Sequence, residues 1–215
     1  MSARPRQTPS IESVNVGTVR TVEHGGRLIT TGIFKEPVVG RVRLRGVNLD
    51  GDDQADRSVH GGPERAAYAY AGEDYDWWSG ELGRACAPGT FGENFTTCGI
   101  DVNRALIGER WRVGSAVVQV TSPRIPCYKL AMKMDDPHFV RRFAEALRPG
   151  AYLAIVEEGE VAAGDPAEIV HRPKHALTLA EMTRIYFFER RRVGELVHVD
   201  DLPAAWREWA REHDS

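Results

Sequence analysis

The chain has 215 residues, 42% of them hydrophobic and 27% charged, with a formal net charge of −3. That suits one large globular domain, or one domain plus a small appendage, and argues against a nucleic-acid-binding surface spread over the whole protein. Three cysteines (Cys86, Cys98, Cys127), an odd number without CxxC spacing, disfavour a disulfide framework, a structural zinc knuckle or a four-cysteine iron–sulfur cluster.

Residues 1–10 carry no apolar pattern and are expected to form a short disordered tail. With no apolar leader and no run of about 18 apolar residues, the expectation is a soluble, cytoplasmic protein in a reducing compartment, with no membrane partner. From 11 to about 170 the texture is β-like, with short alternating or apolar runs punctuated by Gly, Pro, Asn and Asp. Strands are predicted at 14–19, 41–45, 66–70, 110–113 and 116–120, and the run 151–156 reads as a strand buried on both faces. Glu158-Gly159 is a turn into a further strand, which Gly164-Asp165-Pro166 closes. Two helices interrupt this region. One spans 73–82 and carries Trp77 and Trp78; the other spans 137–147, with Phe139, Phe143 and Leu147 at i, i+4 and i+8. Many short strands with two helices predict the α+β class, built on a β-barrel or strongly bent sheet over 11–172.

After His171-Arg-Pro-Lys-His175 the pattern changes. Thr178-Leu-Ala-Glu181 is a capping box opening a helix to about 189, a second short helix precedes Gly194, and Pro203 sits in the first turn of a last helix with Trp206 and Trp209. Residues 173–215 therefore form a small all-helical C-terminal appendage, too short to bury a core alone. It must pack on the same chain, on a second copy as a homodimer, or on a partner. Basic clusters such as Arg41/Arg43/Arg45 and the arginines at 190–192 read as solvated charge or local anion sites.

Three loops carry candidate chemistry. In the first, Gly51-Asp-Asp-Gln-Ala-Asp56 precedes Val59-His-Gly-Gly-Pro63. Its Asp52 and Asp56 either form a carboxylate pair for acid–base work or order the loop by accepting backbone N–H groups, and His60 is either a ligand contact or a satisfied structural histidine. The second is Gly89-Thr-Phe-Gly-Glu-Asn-Phe-Thr96, rich in small residues, hydroxyls and amides that can face an anion or simply make turns. It lacks the Gly-Lys-Ser/Thr ending of a Walker loop. The third is Ser122-Pro-Arg-Ile-Pro-Cys-Tyr-Lys-Leu130. Its prolines fix φ at positions 123 and 126, and Cys127 stands between the cations Arg124 and Lys129, which favour thiolate, the form that binds soft metals or attacks electrophiles. Cys86 and Cys98 lack such neighbours and read as structural.

Taken together, these loops resemble the MOSC family, the domain shared with the C-terminal region of molybdenum cofactor sulfurases, and within it the YiiM-like subgroup. The resemblance rests on Gly51-Asp-x-Gln-Ala-Asp56 with His60-Gly-Gly62 and Ala67-Tyr-Ala-Tyr70, on Gly89 to Thr96, on Pro123-Arg-x-Pro-Cys127-x-Lys129-Leu, and on Thr31-Gly-Ile-Phe-Lys35. The tail from 177 is similar to the three-helix domain of that subgroup, so the resemblance covers nearly the whole chain. Phe95 and Cys98 are mild departures.

The resemblance implies a β-barrel-centred fold that binds a molybdenum–pterin cofactor of the molybdopterin type, with Cys127 as the molybdenum ligand. It further implies reduction of small N-hydroxylated substrates (hydroxylaminopurine-type base analogues and hydroxylamines) to amines, with electrons from a separate flavoprotein reductase. Pyridoxal phosphate is not an expected ligand. For the anionic cofactor the cationic candidates are Lys35, Arg124 and Lys129, and the neutral donors Thr90, Asn94 and Thr96, with His60 beside them. His60 or Asp56 is the candidate proton donor. A carrier of the cofactor, or of persulfide sulfur on Cys127, would share these motifs; a metal-free cysteine enzyme lacks a convincing partner base.

Overall fold

A computed structural model describes residues 8–55 and 61–214. In chain order it contains β1 (Ser10–Val16), β2 (Arg20–His24), β3 (Arg27–Thr31), β4 (Glu36–Pro37), β5 (Val42–Arg45), β6 (Asn48–Leu49), β7 (Ala67–Ala71), α1 (Glu73–Leu82) and β8 (Phe95–Cys98). There follow β9 (Arg110–Val113), β10 (Ala116–Pro123), α2 (Tyr128–Met134), α3 (Phe139–Glu145), β11 (Ala151–Glu157), β12 (Gly159–Val161), β13 (Ala167–His171), α4 (Leu179–Phe187) and α5 (Ala204–His213). Single 3₁₀ segments occupy Pro63–Arg65, Val102–Arg104 and Arg190–His198.

Eight strands form one sheet in the order β13-β9-β10-β11-β7-β8-β1-β4, while β12-β5-β6 and β2-β3 make smaller ones. All pairs are antiparallel except β7 with β8. A parallel neighbour requires a crossover, and α1 supplies it. The main sheet bends until its ends approach: Ile11 N–H donates to the Asp165 carbonyl at 2.9 Å and Ala167 N–H to the Pro9 carbonyl at 3.0 Å. Only an isolated bridge, Ser10 to Pro166, joins strand to strand there among the described residues. The α+β class and the bent sheet are present, but a closed β-barrel is not found. Pro9 and Ser10, expected in the tail, are hydrogen-bonded into the sheet; residues 1–7 lie outside the described residues.

Strand β7 shows how sequence sorts the interior. Successive side chains of a strand point to opposite faces. Ala67, Ala69 and Ala71 face a large aliphatic core with Trp111, Val118 and Leu153. Tyr68 and Tyr70 face a second, aromatic core, where Trp78 of α1, Phe91, and Phe139 and Phe143 of α3 are buried. Small residues on one side let the sheet curve closely, and large rings on the other fill the space under the helices.

The C-terminal helices share the aliphatic core. Leu179, Met182 and Ile185 of α4, Val193, Leu196 and Ala210 are buried in the same cluster as the sheet residues. The tail therefore packs on its own chain. Thr178 caps α4 by accepting the Glu181 N–H at 3.1 Å, while Glu181's carboxylate turns to Arg192 instead of completing the box.

Several boundaries differ from expectation. The first strand is 10–16 rather than 14–19. Strand β11 is not buried on both faces: it alternates and ends exposed, because β7 pairs with it only from Ala151 to Leu153. The helix expected at 137–147 is shorter, with Leu147 in the left-handed region at φ 52°. The segment expected as a second tail helix is 3₁₀.

Candidate active site

A cavity opens between the end of β3, the 52–55 loop, the 3₁₀ turn before β7, Gly92–Asn94 and the junction of β10 with α2. Its empty space, counted out to the mouth and including open solvent, is about 650 Å³. Cys127, Arg124, Lys129, Lys35 and Asn94 all line it. So do Arg65, Gln54, Asp53, Tyr68 and Tyr152.

The local sequence places the sulfur. Strand β10 ends at Pro123, Pro126 keeps the chain out of a helix, and Cys127 takes an extended conformation (φ −127°, ψ 173°) as the N-cap residue of α2. Its carbonyl accepts the Leu130 N–H at 2.9 Å, but its side chain makes no capping bond. The half-buried sulfur is left to the cavity. Arg124, only 7% exposed, donates to the Phe91 carbonyl and lies 5.0 Å over the Tyr68 ring. Lys129 reaches across to the Thr30 carbonyl at 2.9 Å.

Lys35 and Asp52 form an ion pair whose side chains are 8% and 1% exposed. Burial lowers the Lys35 pKa, and Asp52 opposes that shift. Asp52 also accepts the Gly17 N–H at 2.9 Å and the Asn94 side-chain amide at 3.0 Å. It is thus an organiser of the loop, as one of its two sequence readings held. Asn94 donates its other amide proton towards the Asn15 carbonyl at 3.2 Å and accepts the Tyr68 N–H at 3.1 Å. It holds β1, β7 and Asp52 in register, and both its amide protons are taken.

The 89–96 loop, whose composition allows an anion cradle or simple turns, spends many of its donors internally. Its own Glu93, fully buried, takes the donors: the N–H groups of Gly89 and Phe91, the Tyr75 hydroxyl and the Thr96 hydroxyl. Burial raises the Glu93 pKa against these bonds. Thr96 belongs to β8 and is sealed inside, and the Thr90 hydroxyl accepts the Ala87 N–H at 3.0 Å. Neither threonine lines the cavity. Asp56 and His60, the candidate proton donors, lie outside the described residues.

Sequence reasoning missed Glu93, Arg65 and Lys133. Glu93 stood in the motif between two glycine turns, the one residue able to accept several N–H groups at once. Lys133 follows Lys129 by four residues, which places both on one face of a helix starting at Cys127. That helix went unrecognised because the prolines read as a rigid loop.

The residues fit a soft metal carried by an anionic organic group. The cavity offers one thiol, a soft ligand, and the cations Arg65, Arg124, Lys35 and Lys129. Gln54 adds a constraint. Its amide nitrogen donates to the Arg65 carbonyl at 2.9 Å, which can only accept, so the orientation is fixed and the buried amide oxygen has no partner among the described residues. A polar lining with an unmatched acceptor suits a ligand that brings N–H groups. Among the described residues no group of three or more His, Cys, Asp or Glu side chains could hold a metal by itself, and no helix is long and apolar enough to cross a membrane.

Comparison with known proteins places the chain in a family. A family model for the MOSC domain matches residues 56–168. The chain is 34% identical over 200 residues to the uncharacterised protein YflK of Bacillus subtilis (strain 168), covering 93% of this chain and 90% of that one. It is 36% identical over 146 residues to protein YiiM of Escherichia coli (strain K12), covering 66% and 65%. A Gibberella moniliformis protein called a reductase is 28% identical over 88% of this chain, which spans 34% of its length. The crystal structure of YiiM from Geobacillus stearothermophilus superposes with a TM-score of 0.80 at 30% identity, covering 96% of this chain and all of that one. The chain therefore belongs to the MOSC domain family, as a YiiM-like member.

Proposed function

We propose that the protein is a molybdenum-cofactor-dependent oxidoreductase that reduces small N-hydroxylated compounds, such as hydroxylaminopurine-type bases and hydroxylamines, to amines. The observation that carries the reading is the Cys127 sulfur lining a cavity with Arg124, Lys129, Lys35 and Arg65. When bound, the cofactor supplies a metal able to change oxidation state. Cys127 would hold that metal as thiolate, and the cationic side chains would hold the anionic groups of the pterin. Reduction of R–NH–OH to R–NH₂ and water consumes two electrons and two protons. The chain has no flavin or haem motif, so the electrons come from a separate flavoprotein reductase. A relative called a reductase, in which the matched region is a third of the length, suits such a division of labour. Asp56 and His60 remain the proposed proton donors, and a cytoplasmic setting suits an odd number of cysteines without CxxC spacing.

The test is direct. Full-length protein loaded with molybdenum cofactor receives a chemical reductant and 6-hydroxylaminopurine, and adenine is measured by chromatography. Stoichiometric conversion over many turnovers is the expected result. Reduced metal without amine would leave a carrier of cofactor or persulfide instead.

A further inference from the structure

The tightest packing beside the cavity is around residues 32–35, an extended strap that carries Lys35. A Cβ on Gly17 would stand 2.3 Å from the Phe34 carbonyl oxygen, and one on Gly89 would stand 2.3 Å from that of Lys35. One on Gly32 would meet the Asp53 carbonyl at 2.4 Å. These contacts leave the strap no lateral room. Besides the Lys35–Asp52 pair, a side chain from α2 ties it to the rest of the site. Lys133 of α2 donates to the Ile33 carbonyl at 3.0 Å and to the Gly89 carbonyl.

That ammonium joins three pieces: the helix that starts at Cys127, the strap that carries Lys35, and the loop whose Phe91 carbonyl holds Arg124. Glu93 attracts it from the loop, while Arg124, Lys35 of the strap and Arg20 of β2 repel it. The Phe34 ring lies 5.6 Å from its nitrogen. Burial pushes its pKa down to about 8. Lys133 is absent from the cavity wall, so it does not meet the ligand itself.

We propose that Lys133 is a positioning residue, which fixes the Cys127 sulfur relative to Lys35 and Arg124 and so holds the cavity in the shape its ligand requires. The identity of the ligand rests on the function proposed above; the positional role does not. In full-length, cofactor-free protein, alkylation of Cys127 by iodoacetamide is followed by peptide mapping, which separates it from Cys86 and Cys98. Lys133→Met raises the rate about tenfold at neutral pH, as expected for the loss of two hydrogen bonds from a charged group, and Lys133→Arg restores it to within about twofold. The ratio of Lys133→Met to wild type falls towards one as the pH rises above the Lys133 pKa, because the wild-type bonds then lose their charge. Ionisation of the thiol itself largely cancels in that ratio. A ratio near one already at neutral pH, or a Lys133→Arg variant no better than Lys133→Met, overturns the proposal. If Lys133→Met does not fold, Lys133→Gln replaces it under the same two criteria. A loaded wild-type protein that reduces no substrate would remove the proposed function while leaving the alkylation result to decide on Lys133.

Discussion

Cofactor-loaded Cys127→Ser protein loses N-hydroxy reduction by more than about 100-fold relative to loaded wild type. Serine keeps the size and the N-cap geometry, so α2 and the cavity wall persist. What changes is the donor: a neutral alcohol is a poor ligand for a soft metal, and its alkoxide is not populated near neutral pH. The substitution therefore isolates the sulfur's chemistry from its packing. Amine formation is measured together with molybdenum and pterin content per chain. An active variant, at equal cofactor content, would show that the sulfur is a bystander. The same substitution at Cys86, which packs beside the aromatic core and whose pKa is raised by burial, leaves activity at the wild-type level.

Asp52→Ala destabilises the fold by about 3–5 kcal/mol, the range for removing one partner of a buried ion pair. Three groups lose their acceptor at once: the Lys35 ammonium, the Gly17 N–H and one amide proton of Asn94. The pH dependence has a definite sign. The folded pKa of Lys35 already lies below its ordinary value, and removing Asp52, which raises it, lowers it further. Between the folded and unfolded pKa values the native state binds fewer protons than the unfolded chain, so stability rises with pH. The deficit of Asp52→Ala relative to wild type thus shrinks as the solution is made alkaline, when Lys35 sheds the unpaired charge. Urea unfolding at neutral and alkaline pH measures both effects. A loss below about 1 kcal/mol, the level of an exposed pair, would mean that the pair is solvated.

The parts of the site that could be read from sequence are those where residue type alone dictates chemistry. A cysteine between two cations, and the further cation Lys35, were expected to serve one ligand, and Cys127, Arg124, Lys129 and Lys35 do share one cavity. Thr90 and Thr96 stand off the cavity wall, and Asn94 lines it with both amide protons taken, for a physical reason. Hydroxyls and amides are donors wherever they stand, but the acceptor that takes them is settled by packing. Here Glu93 takes the Thr96 hydroxyl and Asp52 an Asn94 amide proton, both inside. Composition cannot decide between a carboxylate four residues away and an anion that has yet to arrive.

The fold shows the same division. Strands with local signals, such as those expected at 110–113 and 116–120, fall within β9 and β10, which pair across Gly114-Ser115. The β2–β3 hairpin was missed, because both its faces are largely exposed and no alternation marks it; the Gly25-Gly26 pair, both at positive φ, was the available cue. Closure of the main sheet depends on contacts between residues 9–11 and 164–167, more than 150 positions apart. Strand patterning carries no information on whether such ends form a continuous ladder or stop at a single bridge.

The central claim is that the Cys127 sulfur is a ligand of the metal. X-ray absorption at the molybdenum edge of loaded protein tests it most directly. Wild type is predicted to show one more sulfur scatterer at bonding distance than Cys127→Ser loaded to the same metal content. Equal sulfur shells in the two proteins would contradict it.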